Sequence, residues 1–206
     1  MLMKKCFHLI ALKGFVAVCL VASSCSFIEE PRKIVFAVNS QESSAIRFEG
    51  KGAAAGVMMS SSMGPMGVAI GVAIDEGIAK DIRGVLDSVG CRVDKVVENS
   101  FQAISRNHRS NVMPLASPYA SRVDVLIQID QVKFRTFPSE GDLTLAEVAL
   151  TIDRDGVVDE LASISGRDVD GGVPLEVVRT DGREACHLLQ AEITQLFDNW
   201  YQQRQK

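Results

Sequence analysis

Several kinds of chemistry lack their residues in this chain. There is no Gly-x-Ser-x-Gly elbow and no Ser-x-x-Lys pair, which sets aside the common serine nucleophiles. Of the three histidines, His8 falls in the leading segment, leaving His108 and His187. His187 directly follows Cys186, and helix neighbours at that offset do not face each other. An active site needs convergent groups. Both histidines are therefore expected as surface or partly packed side chains, and the chain as a non-enzyme. Basic blocks are missing too, which argues against a nucleic-acid partner and against electrostatic adhesion to anionic lipid. The leading apolar run is uninterrupted only from Gly14 to Ala22, under half of the roughly 20 residues that cross a bilayer. Calcium loops are incomplete: Asp153-Arg154-Asp155-Gly156 and Asp168-Val169-Asp170-Gly171 lack the remaining ligands of an EF-hand. Asp-Gly turns account for both. Neither metal nor cofactor is expected.

What is present begins with a leader. Lys4 and Lys5 precede a short apolar stretch that exits through small residues, Ala22-Ser23-Ser24, directly before Cys25. A basic start, a short greasy core and a small-residue exit describe a secretory signal. The Ala22-Ser23-Ser24-Cys25 run resembles the lipobox of bacterial lipoproteins. That resemblance implies cleavage after Ser24 and acylation of Cys25 as the first mature residue. Ser26 in the next position resembles the pattern sorted to the outer membrane, with the domain on its periplasmic face. One acyl chain holds a protein only marginally, whereas the several chains of this family make a lasting anchor. Loss of Lys4, Lys5 and Lys13 with the leader reduces 22 basic residues to 19, against 26 acidic, for a net charge of −7.

The organisation expected is a signal peptide at 1–24, a lipidated start and short tether at 25–32, and one domain at 33–206. Seven tether residues reach at most about 25 Å, which keeps the domain close to its own membrane. Ile34 to Val38 reads as a buried strand. Steps of three and four through Ile70, Ile74, Ile78, Ile82, Val85 and Val89 predict a helix from Pro65 to Ser88, with Pro65 in its first turn and Gly90 past its end. Val93, Val96 and Val97 suggest a strand over Cys91–Glu98, followed by an irregular connection from Asn99 to Ser121. Val123, Val125, Ile127 and Ile129 alternate as a half-buried strand does. Segments 143–153 and 157–165 flank the hairpin signal Asp155-Gly156. Asp181 and Glu184 resemble a capping box opening a last amphipathic helix through Trp200. No internal repeat is evident. The order strand, helix, strand, three-strand meander, helix predicts an α+β fold, with one mostly antiparallel sheet and two amphipathic helices on one face. It resembles the small α/β domains of envelope lipoproteins such as the lipopolysaccharide-assembly lipoprotein LptE and the YajG group. The likeness implies an assembly or accessory role.

Two features stay open on sequence. After processing, Cys91 and Cys186 remain beside Cys25, either disulfide-bonded across a long loop or as two buried thiols. Residues 52–74 carry no charge and are rich in Gly, Ala, Met and Ser. The first half, to Met63, fits loop or weak helix, and Pro65 divides the run. Met59, Met63 and Met66 are soft thioethers that could share a helix face for Cu(I). No His or Cys accompanies them, so apolar gap-filling is the expectation. The spacings Gly52/Gly56 and Gly67/Gly71 permit close helix approach. Intramolecular packing, such as a helix held tightly on its own sheet, is the favoured reading, with membrane insertion or self-association of 52–74 as the alternative. The functional expectation is a non-catalytic, membrane-anchored binding or scaffold lipoprotein with an envelope protein partner.

Overall fold

Strands β1 (Ile34–Ser40) and β2 (Arg47–Glu49) come first, followed by three consecutive helices, α1 (Lys51–Met63), α2 (Pro65–Ser88) and α3 (Val93–Asn107). Next come β3 (Val112–Pro114), β4 (Val125–Phe137), β5 (Leu143–Arg154), β6 (Val157–Ala162) and β7 (Val173–Pro174). Helices α4 (Leu175–Thr180) and α5 (Gly182–Arg204) close the chain. The computed structural model describes residues 34–40, 46–108, 110–115, 123–137, 141–163 and 171–204. The leader, Cys25, the tether and Asp168–Asp170 lie outside them.

The fold is α+β, and its sheet is mixed, not purely antiparallel. The order is β3-β1-β4-β5-β6, with β2 also on β4 and β7 also on β5. Strands β1 and β2 both run parallel to β4, and β3 runs parallel to β1. Only β4–β5, β5–β6 and β5–β7 are antiparallel. Parallel neighbours need a long crossover, and the three helices between β2 and β3 supply it. The observed order also departs from the one that carried the likeness to LptE and the YajG group.

Strand β4 shows how the inward face is set. Val125, Ile127 and Ile129 are buried, and then Val132, Phe134 and Thr136. Between these two sets the register slips at Asp130, because a bulge inserts one residue and moves the buried series by one. The Asp130 carboxylate accepts hydrogen bonds from Gln128 Nε2 (3.0 Å) and Thr151 Oγ1 (2.7 Å), which fixes the bulge against β5. Deeper in the ladder, Thr136 and Thr144 share one hydroxyl hydrogen bond at 2.7 Å. The β5–β6 turn places Asp155 at φ 53° and Gly156 at φ 83°. Both positive values belong to the primed turns that match strand twist. Asp153 Oδ1 accepts from the Gly156 N–H at 3.0 Å, so this Asp-Gly run is a turn.

Helices cover one face of the sheet. Helix α2 has its expected limits, but its buried face is Ile78, Ala79, Ile82 and Leu86, while Ile74 and Val89 are exposed. The expected stripe was therefore too long at both ends. Val93 to Asn107 is a helix, not a strand followed by irregular chain. Val97, Ser100, Phe101, Ile104 and Ser105 are its buried positions, which is a 3.6-residue period that outweighs the β-branched preference of its valines. His108 caps the end of α3, and β3 follows within what reads as irregular chain. Pro114 closes β3, an edge strand, where a missing N–H costs least. Asp181 Oδ1 accepts from Arg183 N–H (2.9 Å) and Glu184 N–H (3.4 Å). The Asp181 N–H donates to Val177 O (2.7 Å), so the reciprocal half of the capping box is replaced by a bond to a carbonyl of α4.

Sheet and helices meet in one core. Phe36, Ile127, Ile129, Phe134 and Leu150 face Ile82, Leu86, Phe101, Leu189, Ile193 and Phe197. Phe101 lies edge-on to both Phe36 (4.9 Å) and Phe197 (5.2 Å). Cys91, just ahead of α3, is bonded to Cys186 in the first turns of α5, with Cα atoms 6.0 Å apart.

Candidate functional site

The charge-free segment 52–74 folds into a helical hairpin. Helix α1 ends at Met63, Gly64 turns the chain at φ 58°, and Pro65 opens α2. The glycines are the contact. A Cβ on Gly67 would lie 2.5 Å from Met59 C, and one on Gly71 would lie 2.3 Å from Gly52 O and 2.9 Å from Gly56 Cα. At such distances only glycine fits, and the two backbones approach as small-xxx-small helix pairs do. The glycines pack within the chain, as expected, but on each other, helix to helix, rather than on the sheet.

What the arm buries and what it shows are the reverse of a water-soluble helix pair. Within 52–74 the buried residues are Gly52, Gly56, Gly67 and Gly71. The large apolar side chains point outward: Val57 is 72% exposed, Met58 78%, Met66 63% and Val72 65%, with Met63, Val68 and Ile74 also exposed. A water-facing amphipathic helix turns such residues inward.

Its serine hydroxyls and several backbone N–H groups at its tip and base are satisfied from within. Ser60, Ser61 and Ser62 hydroxyls donate to the carbonyls of Val57 (2.7 Å), Met58 (2.8 Å) and Met59 (3.2 Å). At the tip, the Gly64 N–H reaches Ser60 O (2.9 Å) and the Gly67 N–H reaches Gly64 O (3.0 Å). Asp75 does the same at the base. Its two carboxylate oxygens accept from Gly52 N–H (2.6 Å) and Ala53 N–H (3.0 Å). Helix N-termini leave unbonded N–H groups and a partial positive charge, and here the neighbouring helix supplies the cap. Lys51 pairs with Asp142 at 2.6 Å, tying the base to the start of β5. Sequence reasoning missed Asp75. Its signal is its place, as the first charge after the uncharged run.

The other expected site residues are scattered. Met59 and Met63 lie on α1 and Met66 on α2, across the Gly64 turn, so the three do not share one helix face. Among the described residues, no group of three or more His, Cys, Asp or Glu is arranged to hold a metal. His108 stacks on Tyr201 (4.8 Å) and bonds Asp198 through Nε2 (3.2 Å), while Tyr201 OH bonds Ser105 Oγ (2.7 Å). His187 lies along an open groove beside α5 with Gln190, Thr194 and Asp198. On the open face of the sheet, Lys133 bridges Glu49 and Glu147, both at 2.8 Å. The hydrogen bond from Lys133 holds Glu49 below the ordinary carboxylate range, against an upward push from burial. Burial pushes Lys133 down, yet its bonds to Glu147 and Glu49 outweigh that and hold it above the ordinary ammonium value. This cluster ties β2, β4 and β5 together.

No family model matches the chain, and no curated protein matches it. A crystal structure titled as that of an uncharacterized protein is similar at 9% identity, covering 83% of this chain and 90% of its own, with a TM-score of 0.34. That likeness is too low to bear on fold or function. Among the described residues, no helix is long and apolar enough to cross a membrane.

Proposed function

We propose that this protein is a non-catalytic lipoprotein of the cell envelope. Acyl chains on Cys25 would hold it at the periplasmic face of the outer membrane, where it acts as a binding or accessory component. The observation that carries the reading is the arm 52–74, an uncharged surface on which Val57, Met58, Met63, Met66, Val68, Val72 and Ile74 are exposed together, whereas the exposed large apolar residues of the body, such as Leu126, Val157 and Val158, are fewer and lie among charged side chains. Contiguous exposed apolar surface marks a place where a protein or a membrane docks. The Ala22-Ser23-Ser24-Cys25 run supplies the address, and a tether reaching at most about 25 Å keeps the domain close to its own membrane. Ionisable groups support the same reading, being drawn into ion pairs such as Glu49–Lys133–Glu147 and Asp81–Arg179.

Metabolic labelling with a palmitate analogue in the host tests it. The mature protein takes up label, and Cys25→Ala abolishes it. An unlabelled, freely diffusing native protein removes both address and role.

A further inference from the structure

The geometry points to the arm 52–74 as a wedge that enters the hydrocarbon of the leaflet holding the Cys25 acyl chains, without crossing the bilayer. This deepens the membrane-anchored reading and rests on it. Three observations favour lipid over another protein as the occupant. First, the arm is inside-out, with glycines buried and Val57, Met58, Met66, Val68 and Val72 facing outward. Helix pairs in lipid associate through small residues and leave large ones to the acyl chains. Second, hydrocarbon demands that every backbone and hydroxyl group be satisfied internally. The Ser60, Ser61 and Ser62 hydroxyls bond their own helix, the Gly64 and Gly67 N–H groups are bonded at the tip, and Asp75 caps α1, so these polar groups are met within the arm.

Third, the dimensions agree. At 1.5 Å per residue, α1 is about 20 Å long and the uncharged part of α2, Pro65 to Ile74, about 15 Å. One leaflet offers about 15 Å of hydrocarbon. Charge resumes at the base, with Lys51 paired to Asp142 and with Asp75 and Glu76 on α2, where the headgroups would lie. A second copy is the less suitable occupant. The glycine faces that would let two backbones approach most closely are already spent inside the hairpin, and the outward surface, although it includes Ala69 and Ala73, is dominated by Val and Met.

The experiment uses the full acylated chain in vesicles of phosphatidylethanolamine with a minority of phosphatidylglycerol. An environment-sensitive fluorophore is attached through Met58→Cys and, in a separate protein, through Glu160→Cys on β6. The Met58 probe is expected to shift to the blue and to be quenched by lipids carrying a nitroxide midway along the acyl chain. The Glu160 probe stays as in water. Adding Val57→Asp and Val68→Asp abolishes quenching at Met58 while the protein remains on the vesicles. Co-sedimentation reads the anchor, and quenching reads the arm. A Met58 probe that stays aqueous on protein held by Cys25 overturns the wedge and leaves the anchor standing. A Met58 probe shielded from water but unquenched by lipid, with Met58→Cys forming disulfide-linked dimers, also overturns it and assigns the arm to a second copy. A Cys25→Ser chain that still shows quenching supports the wedge as a contact made independently of the anchor.

Discussion

A methyl group is the unit that matters at Gly71. A Cβ there would stand 2.3 Å from Gly52 O, a backbone atom with no rotamer to yield. Gly71→Val should therefore open the α1–α2 hairpin at a cost of about 1–3 kcal/mol, the range for overpacking. Hydrogen exchange would show α1 amides losing protection while β4 amides keep theirs; equal loss in both would mean the contact is not local to the arm. Gly77 lies six residues further along the same helix and has open space where its Cβ would go. Gly77→Ala should stabilise by roughly 0.4–1 kcal/mol through helix propensity and a less free unfolded chain, read as a higher urea midpoint. The Glu49–Lys133–Glu147 cluster adds a pH dependence of two signs. Glu49 is lowered in the folded state, so its contribution is present above the ordinary carboxylate value and fades as pH falls through the lowered one. Lys133 is raised, so its contribution is complete below the ordinary ammonium value and fades as pH rises through the raised one. Glu49 is nearly half exposed, which keeps its share within the 0–1 kcal/mol of surface pairs. Urea midpoints of wild type and Lys133→Met should converge at both pH extremes and separate near neutrality. A constant separation across pH would remove the cluster from the stability of the sheet.

Elements were legible where the signal was local. Pro65 and the charge pattern that follows bounded α2, Asp155-Gly156 marked its hairpin, and Asp181 marked the start of α5. The misreadings came from evidence that is not local. Val93, Val96 and Val97 invite a strand when read to Glu98, yet Phe101 and Ile104 continue the same face and make the segment a helix. The apolar run of β1 and the alternation along β4 identify strands without saying how they pair, so the parallel β1–β4 register could come only from the three-helix crossover. The cap on α1 comes from Asp75, more than twenty residues away, beyond any local capping pattern. The Cys91–Cys186 bond joins two such elements, the start of α3 and the first turns of α5, across 95 residues. Closing so long a loop restricts the unfolded chain by about 4–5 kcal/mol in the entropic model, with measured losses nearer 2–5. Cys91→Ala with Cys186→Ala should lower the unfolding free energy by that amount, and reductant should then have no further effect on the midpoint. A double variant as stable as the oxidised protein would leave the bond without a structural role.

At the scale of the molecule, body and arm follow opposite rules, and this separates their energetics. In the body, Phe36, Phe101, Phe134 and Phe197 are almost wholly buried, and truncating any of them to alanine falls in the range of about 3–5 kcal/mol. In the arm, the large side chains touch little protein and the buried surface is backbone against glycine. Polar substitution of Val57, Val68 and Val72 to aspartate together should therefore leave the urea midpoint of the body unchanged within the ~0.5 kcal/mol usual for surface sites. The same triple variant should be more soluble in detergent-free buffer, because an exposed apolar patch drives association in water. Global unfolding is the measurement that discriminates. Unchanged stability with improved solubility means the three valines serve something outside the folded chain. A loss above about 2 kcal/mol, which is core-sized, would mean that they are packed against protein in solution, and the arm would then be a structural element of the body or of an assembly of bodies. The sequence showed that 52–74 is uncharged and glycine-spaced, but not which face the glycines would take. That depended on the Gly64 turn bringing Gly67 and Gly71 back against Gly52 and Gly56, and this one pairing turns most large side chains of the arm outward, with Met59 and Ile70 half-buried.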